Sequence, residues 1–255
     1  MEKRVSRPAV SGCIVTYNNE DIIGECIESI LAQTKDVDFT LYVSDNASTD
    51  NTVSIIRQSF PQVALICGEK NIGFGQGHNR VLPLLRSDYH VVINPDILLR
   101  EDTISGLVRY METRRTVGMV SPKVLNPDGS EQFLPKTDPC FRYVVLSKLR
   151  PFAFYRRRYT REDEHIARPV LTDSCSGSFF VVRTRLFREL KGFDPRFFMY
   201  CEDADFSRRV RAKASLVFNP DYEVTHLWKR DNTKTIRGMA IFLMSYIRYC
   251  LKWVN

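Results

Sequence analysis

The sequence predicts an α/β fold around a mostly parallel sheet, and three observations predict it. Apolar runs of strand length alternate with segments of helical periodicity from residue 9 to residue 114. Carboxylates recur just past those strands, at Asp45 and Asp96, the edge where open α/β sheets bind ligands. The chain has 255 residues, 44% hydrophobic and 26% charged, enough for one large domain with a sizeable core.

The elements follow in order. Residues 9–17, AVSGCIVTY, read as an apolar strand. Residues 20–33 place Ile22, Ile23, Cys26, Ile27, Ile30 and Leu31 at helical spacing. Residues 39–46 form a second strand, and Asp50 or Asn51 caps a helix reaching about Ser59. Residues 63–68 form a third strand, followed by a glycine-rich turn and a helix over 75–85. The fourth strand, YHVVINP, stops at Pro95, which has no N–H to donate, and residues 103–114 form the next helix. Such alternation implies right-handed crossovers.

The pattern then changes. Residues 116–133 suggest a strand and a hairpin around Pro127, Asp128 and Gly129. Residues 135–169 read as irregular and basic, with Arg142, Lys148, Arg150, Arg156, Arg157, Arg158 and Arg161 among Phe141, Tyr143, Phe152, Phe154, Tyr155 and Tyr159. A strand and short helix over 172–190, a helix over 201–214 and a strand over 215–226 follow. The last segment, 233–255, is one amphipathic helix. Its apolar stripe is Met239, Ala240, Leu243, Ile247, Cys250 and Val254, widened by aromatics, with Lys234, Arg237, Arg248 and Lys252 supplying charge. It suits a membrane interface, and equally a helix docked on the domain or on a second subunit.

The formal charge of +7 fits an anionic partner: nucleic acid, a phosphorylated substrate or a membrane surface. No helix-turn-helix, RRM or zinc-finger pattern supports nucleic acid. The seven cysteines are scattered without a C-x-x-C pair, which argues against a disulfide framework and a zinc site and for a reducing compartment. Residues 1–8 carry no signal-peptide pattern, and no stretch approaches the roughly 18 apolar residues of a membrane span.

Asp45 and Asp96 face one crevice if both strands end at the same edge. At the first strand's exit, TYNNED, Tyr17 can stack on a planar base while Asp45 accepts from a base N–H; Tyr17 as core rim is the plainer reading. KNIGFGQGHNR lacks the G-K-[ST] end of a P-loop and is misplaced for a dinucleotide fingerprint.

The stretches IVTYNNEDIIGECIESILAQ, VSDNASTDNT, NIGFGQGHNR, VINPDI, GSFFVVRTRLFRELKGFDPRFFMYCEDADFSRRVR and VTHLWKR, in this order, resemble family 2 inverting glycosyltransferases of the GT-A fold. The NxGFG and NPD forms look most like the rhamnosyltransferase branch of bacterial surface polysaccharide assembly. The resemblance implies a GT-A domain over 1–230, with a nucleotide-sugar half (1–115) and an acceptor and catalytic half (116–230), followed by the amphipathic helix over 231–255.

The resemblance also implies roles. Thr16, Tyr17, Asn18 and Asp45 would hold the nucleotide, and Asn71, Gly73 and Asn79 would line the donor pocket. Asp96 stands at the last position of the family's D-x-D, with Asn94 in place of the first Asp; it would bind Mg2+ or Mn2+ against the donor pyrophosphate. Asp203 stands where the family keeps its general base, and Glu202 would position acceptor or base. Asp205 suits a helix cap or a pair with Arg208 or Arg209. Residues 174–180 would form a small-residue wall beside donor and acceptor. His226 is either a metal ligand or structural, and Lys229 with Arg230 would close as a lid.

The expected partners are a nucleotide-sugar donor, with dTDP-L-rhamnose the candidate that the rhamnosyltransferase resemblance suggests, and a glycan or lipid-diphosphate acceptor, with peripheral contact at the inner membrane face, a cytoplasmic location and no nucleic acid. A homodimer is left open. The altered D-x-D keeps a rival in view: a nucleotide-sugar or glycan-binding protein of this fold without catalysis.

Overall fold

The computed structural model describes residues 7–144, 150–152, 154–228 and 235–253. The expectations for Lys148, Lys229, Arg230, Lys234 and Val254 lie outside the described residues.

The first half folds as a parallel sheet because its strands are apolar on both faces and joined by helical crossovers. Strands β1 (Ala9–Thr16), β2 (Asp38–Asp45), β3 (Ala64–Cys67) and β4 (Tyr89–Ile93) lie in the order β3-β2-β1-β4, all parallel. Helices α1 (Ile23–Gln33) and α2 (Thr52–Ser59) connect them. Helix α1 starts three residues later than its periodicity, because the Asn19 carbonyl takes the Ile22 and Ile23 N–H groups in a turn. Asn51 holds the N-cap position of α2 without a side-chain cap bond, and Asp50 just before it accepts from the Thr52 and Glu20 N–H groups, at 3.1 Å each, which ties the Glu20 turn to the helix start.

Helix α3 spans only Phe74–Asn79, shorter than the sequence suggests. Beyond it the bonds tighten to the i→i+3 type, Val81 N–H to His78, Leu82 N–H to Asn79 and Leu84 N–H to Val81; Pro83, with no N–H, cannot contribute to the series.

The second half departs from strict alternation. After β5 (Ile97–Leu98), α4 (Thr103–Glu112) and β6 (Val117–Leu125), residues 141–160 hold two short helices within the segment read as irregular: α5 (Phe141–Val144) and α6 (Phe154–Thr160). Stacked Tyr143 and Tyr159 rings, 5.4 Å apart, join them. The turn at Pro127 forms, with Gly129 at φ 85° and its N–H on Asn126, but the returning arm of the hairpin is one bridge, Leu125 to Glu131.

Strand β7 (Val170–Leu171) is short, and β8 (Phe179–Arg183) leads into α7 (Thr184–Glu189). Helix α8 (Glu202–Arg211), β9 (Ser215–His226) and α9 (Ile236–Trp253) complete the described chain. Strand β8 inserts antiparallel between β4 and β6, β9 runs parallel to β6, and β5 and β7 pair with β9. The sheet is therefore continuous across both halves. The apolar core lies on both its faces, one under α1 and α4 and one under α7 and α8.

This topology brings five strand termini to one edge. The ends of β1, β2 and β4, the end of β9 and the antiparallel start of β8 all lie there.

Candidate functional site

The first group at this edge of the sheet is centred on Asp45. Its side chain is buried and accepts from the Ser48 N–H at 3.0 Å and from the Ser48 hydroxyl. The same hydroxyl accepts from the Asn18 N–H at 2.8 Å, and the Asn18 side-chain oxygen accepts from the Thr49 N–H at 2.7 Å. Asn18 adopts φ 51°, which an Asn tolerates because its side chain bonds locally. Tyr17 projects 40% exposed between these bonded neighbours, so its ring forms a lip rather than core rim. Thr16 is buried, and its hydroxyl donates to Asn19 at 3.0 Å; it braces the loop and has no face on the crevice.

The glycine-rich turn forms the next wall. The Gly73 N–H donates to Asn71 Oδ1, and the Phe74 N–H donates to the Phe198 carbonyl, each at 2.9 Å. Gly73 sits at φ 87°, and a Cβ there would lie 2.1 Å from the Phe198 oxygen, so this contact between the glycine-rich turn and the 198 loop requires glycine. Asn79 is corrected from pocket lining to positioning: its Nδ2 donates to the Phe193 carbonyl and its Oδ1 accepts from the Phe193 N–H.

Two residues that motif reading passed over knit this region. Arg80 donates to the Asp45 carbonyl at 2.9 Å and to Asn46 Oδ1 at 3.1 Å, and Asn46 Nδ2 donates to the Gly73 carbonyl at 3.1 Å. Both lie within the quoted motifs, but their bonds run between motifs, and spacing carries no signal for that.

The second group is Asn94, Asp96 and His226. Pro95 ends β4, and the Asp96 carbonyl accepts from the Leu227 N–H at 2.9 Å, which draws the end of β9 to the turn. His226 Nε2 lies 3.1 Å from Asp96 Oδ1, and Asn94 Nδ2 lies 3.5 Å from the same ring nitrogen.

Gln132 sets the tautomer. Its Nε2 donates to the His226 carbonyl at 2.8 Å, so its Oε1 faces His226 Nδ1 at 3.0 Å and must accept from it. In the neutral ring Nε2 is then an acceptor, reached by Asn94 Nδ2 at 3.5 Å and lying against a carboxylate oxygen. Asp96 Oδ1 is buried and makes no hydrogen bond. A proton on Nε2 would close this contact as a hydrogen bond, and with the ring neutral the two atoms are adjacent acceptors of the kind that ligate a divalent cation, the imidazole being oriented by a further hydrogen bond. Among the described residues no group of three or more His, Cys, Asp or Glu is gathered, so a cation at this pair would find two protein ligands, Asp96 and His226, and would take its others from a bound ligand or water. Gln132 has no sequence signal: it lies in a turn, 94 residues from its partner.

The third group is at the start of α8. Asp203 Oδ2 accepts from the Gly177 N–H at 3.0 Å and Oδ1 from the Ala204 N–H at 2.8 Å. Burial pushes its pKa up, while those two N–H groups pull the other way. Glu202 is buried with Oε2 unpartnered, and burial, with the adjacent Asp203 charge, pushes it to about 8. Asp205 pairs with Arg209 at 2.9 Å, as its spacing suggested, and also accepts from Trp253 Nε1 at 2.8 Å. Tyr200 and Cys201 precede the helix with φ 71° and 64°, two left-handed residues in succession, each costing on the order of 1–3 kcal/mol.

Residues 174–180 join the groups. The Gly177 N–H holds Asp203, and the next carbonyl, Ser178, accepts from the Asn94 N–H at 2.8 Å. Ser178 Oγ is buried and unpartnered.

A continuous, mostly parallel sheet with helices on both faces, one antiparallel strand inserted between its halves and carboxylates gathered at one edge is the architecture of the GT-A fold. The profile of the family described as Glycosyl transferase family 2 matches residues 11–191. The chain belongs to that family.

Two relatives are rhamnosyltransferases. The N-acetylglucosaminyl-diphospho-decaprenol L-rhamnosyltransferase of Mycobacterium tuberculosis is 30% identical over 204 residues, 73% of this chain and 66% of that protein. Rhamnosyltransferase WbbL of Escherichia coli K12 is 28% identical over 248 residues, 92% of this chain and 90% of that protein. The chain thus spans just under two thirds of the mycobacterial relative. Among solved structures, GalNAc-T7 with UDP, GalNAc and Mn2+ superposes with a TM-score of 0.72 at 15% identity, over 98% of this chain and 48% of that one.

Proposed function

We propose that the chain transfers a sugar from a nucleoside-diphosphate donor to an acceptor hydroxyl with inversion. We further propose dTDP-L-rhamnose as donor and a lipid-linked glycan of bacterial surface polysaccharide assembly as acceptor. The observation that carries the reading is the linkage through two successive residues: Gly177 holds Asp203 and Ser178 holds Asn94, so clamp and base are fixed to one stretch. The two named relatives favour rhamnose, and the mycobacterial one bears a diphospho-decaprenol acceptor in its name.

Tyr17 stacks on the base, and Asp45 with Asn18 frames the nucleotide. Asn71 and Gly73 shape the donor wall. Asp96 and His226, with Asn94 beside them, would hold Mg2+ or Mn2+, which would supply positive charge to the donor diphosphate as it departs. Asp203 takes the proton of the acceptor hydroxyl as that oxygen attacks the anomeric carbon opposite the diphosphate. Glu202, protonated at neutral pH, sits against Asp203 and orders the acceptor side. Residues 1–115 carry the donor and 116–230 the acceptor and base. We place the enzyme in the cytoplasm at the inner membrane face; the free state of all seven cysteines supports a reducing compartment. Among the described residues no helix is long and apolar enough to cross a membrane.

The test is turnover of a panel of UDP-, GDP- and dTDP-sugars by purified protein with Mn2+. Release or transfer of sugar from one of them is expected. Donor binding without any turnover would favour the binding-protein reading. Mn2+ affinity is expected to be weak in the free protein and to rise when nucleoside diphosphate is present.

A further inference from the structure

Helix α9 has two opposite faces with different roles. The inner face is docked: Tyr246 and Tyr249 are buried, and the Ser245 hydroxyl donates to the Met199 carbonyl at 2.7 Å. Arg248 donates to the Arg196 carbonyl, and Lys252 reaches Asp194, both at 2.7 Å. The outer face carries Ile236, Met239, Leu243, Met244, Ile247 and Leu251, which are 48–92% exposed. Their spacing of three or four residues puts them on successive turns of one stripe. Six large apolar side chains in a row exceed the scattered exposure normal for a free surface.

We propose that this outer stripe docks on an anionic lipid surface. Charge decides between lipid and a second copy of the chain. Helix α9 contains no Asp or Glu, and Arg237 and Arg248 are exposed beside the stripe. Stripe against stripe would bring these guanidiniums together with no carboxylate to answer them, whereas anionic headgroups complement them. The neighbouring segment has the same composition. Cys140, next to α5, lies close to Tyr246, and the segment that follows exposes Phe141, Phe152 and Phe154 together with Arg156, Arg157 and Arg158. Apolar side chains enter the interface while the arginines stay at headgroup level. The proposal deepens the reading of a lipid-linked acceptor, since the same helix whose outer face meets lipid grips residues 194–205 beside the base. It does not depend on that reading for its test.

The test is co-sedimentation of the full chain with vesicles of phosphatidylcholine alone and of phosphatidylcholine with phosphatidylglycerol. Partition at least tenfold stronger onto the anionic vesicles is expected, weakening as salt rises. Leu243→Glu with Ile247→Glu should reduce partition more than tenfold and leave vesicle-free donor hydrolysis within twofold of the parent. Met239→Gln with Leu251→Gln is the milder pair should the first destabilise the helix, with a reduction of several-fold expected. Equal partition onto both vesicle types, no partition, or partition unchanged in both pairs would overturn the proposal. So would a dimer in analytical ultracentrifugation that either pair makes monomeric, because a second copy then covers the stripe. Vesicle binding by a protein that turns over no nucleotide sugar would leave this proposal standing and sink the transferase reading.

Discussion

Asp96 and Asp203 are carboxylates on opposite sides of the same two residues, and they are kept in opposite states. Asp96 leaves Oδ1 buried and without a hydrogen bond, facing an imidazole acceptor. Asp203 has both oxygens engaged by backbone N–H groups, Gly177 and Ala204. A metal ligand must be left unsatisfied so that the cation completes it. A base must be held in one orientation while remaining free to take a proton. The difference follows from the elements: a turn after a strand has few spare N–H groups, whereas a helix start has several.

The largest way to break this comparison is Asp203→Asn. The amide keeps the volume and one acceptor oxygen but cannot take the acceptor proton. Transfer should fall by roughly 10²–10⁴-fold, with donor and Mn2+ binding within a few-fold of the parent. Calorimetry of donor binding beside the rate decides it; an equal loss of binding would mean that Asp203 shapes the donor site instead. The pH profile adds a sign. Burial raises the Asp203 pKa, so the acid limb of the parent should lie above the ordinary carboxylate range, with activity rising as pH rises through it.

Gln132→Ala tests the other carboxylate through its imidazole. Loss of the Gln132 bond frees the His226 ring and its tautomer without touching the ligand atoms. Mn2+ affinity in the presence of nucleoside diphosphate should fall about 10–100-fold, as for other outer partners of ligating histidines. The rate at saturating Mn2+ should recover most of the parent value. No change in affinity would remove Gln132 from the clamp.

These two residues also mark how far the sequence could be read. The strands, the crossovers and the strand-end carboxylates were legible because they rest on local periodicity and on the fixed edge of a parallel sheet. Asp203 stands out in the sequence only through its motif context, since an acidic helix start is by itself an ordinary dipole effect. Gln132, Arg80 and the Asn79–Phe193 bonds were not legible, because each depends on partners tens of residues away. The antiparallel β8 was hidden for the same reason: a short apolar strand does not state its direction. Thr16 and Asn79 look like donor residues in sequence because they sit in donor motifs, yet their side chains brace neighbouring loops.

Glu202→Gln sharpens the comparison by adding stability. With a folded pKa of about 8 against an ordinary value of 4.5, the folded chain keeps a proton that the unfolded chain releases. Between those values the unfolded state binds fewer protons, so stability falls as pH rises from 4.5 through 8 and then levels. The variant lacks that loss. Its melting temperature should match the parent near pH 4.5 and exceed it increasingly toward pH 8, while transfer declines. The buried histidines act at the other end: burial lowers His78 well below its usual value and His90 to about 3, so both variant and parent should lose stability below about pH 6.5 as the unfolded histidines take protons. A melting-temperature difference independent of pH would show that Glu202 is ionised in the fold.

The smallest expected effect is that of Trp253→Phe, and it asks whether the two carboxylate regions are mechanically separate. The substitution removes the Nε1–H bond to Asp205 and keeps a ring for Arg208 to lie over. Lys252 and Arg209 still answer the buried Asp205 charge, so the cost should be near the low end for a bond to a charged group, about 1.5 kcal/mol. For a chain of this size that is a fall of roughly 3–6 °C in Tm. Asp205 shares helix α8 with Asp203, and α9 grips Met199 and Arg196 in the loop whose Phe198 carbonyl closes the donor turn. Loosening α9 should therefore raise the KM for donor more than it lowers kcat. Mn2+ affinity at Asp96 and His226 should stay unchanged, because that clamp is braced by Gln132 and β9 and shares no bond with α9. A parallel loss of Mn2+ affinity would mean that strain passes along Gly177 and Ser178, and that base and clamp move as one unit.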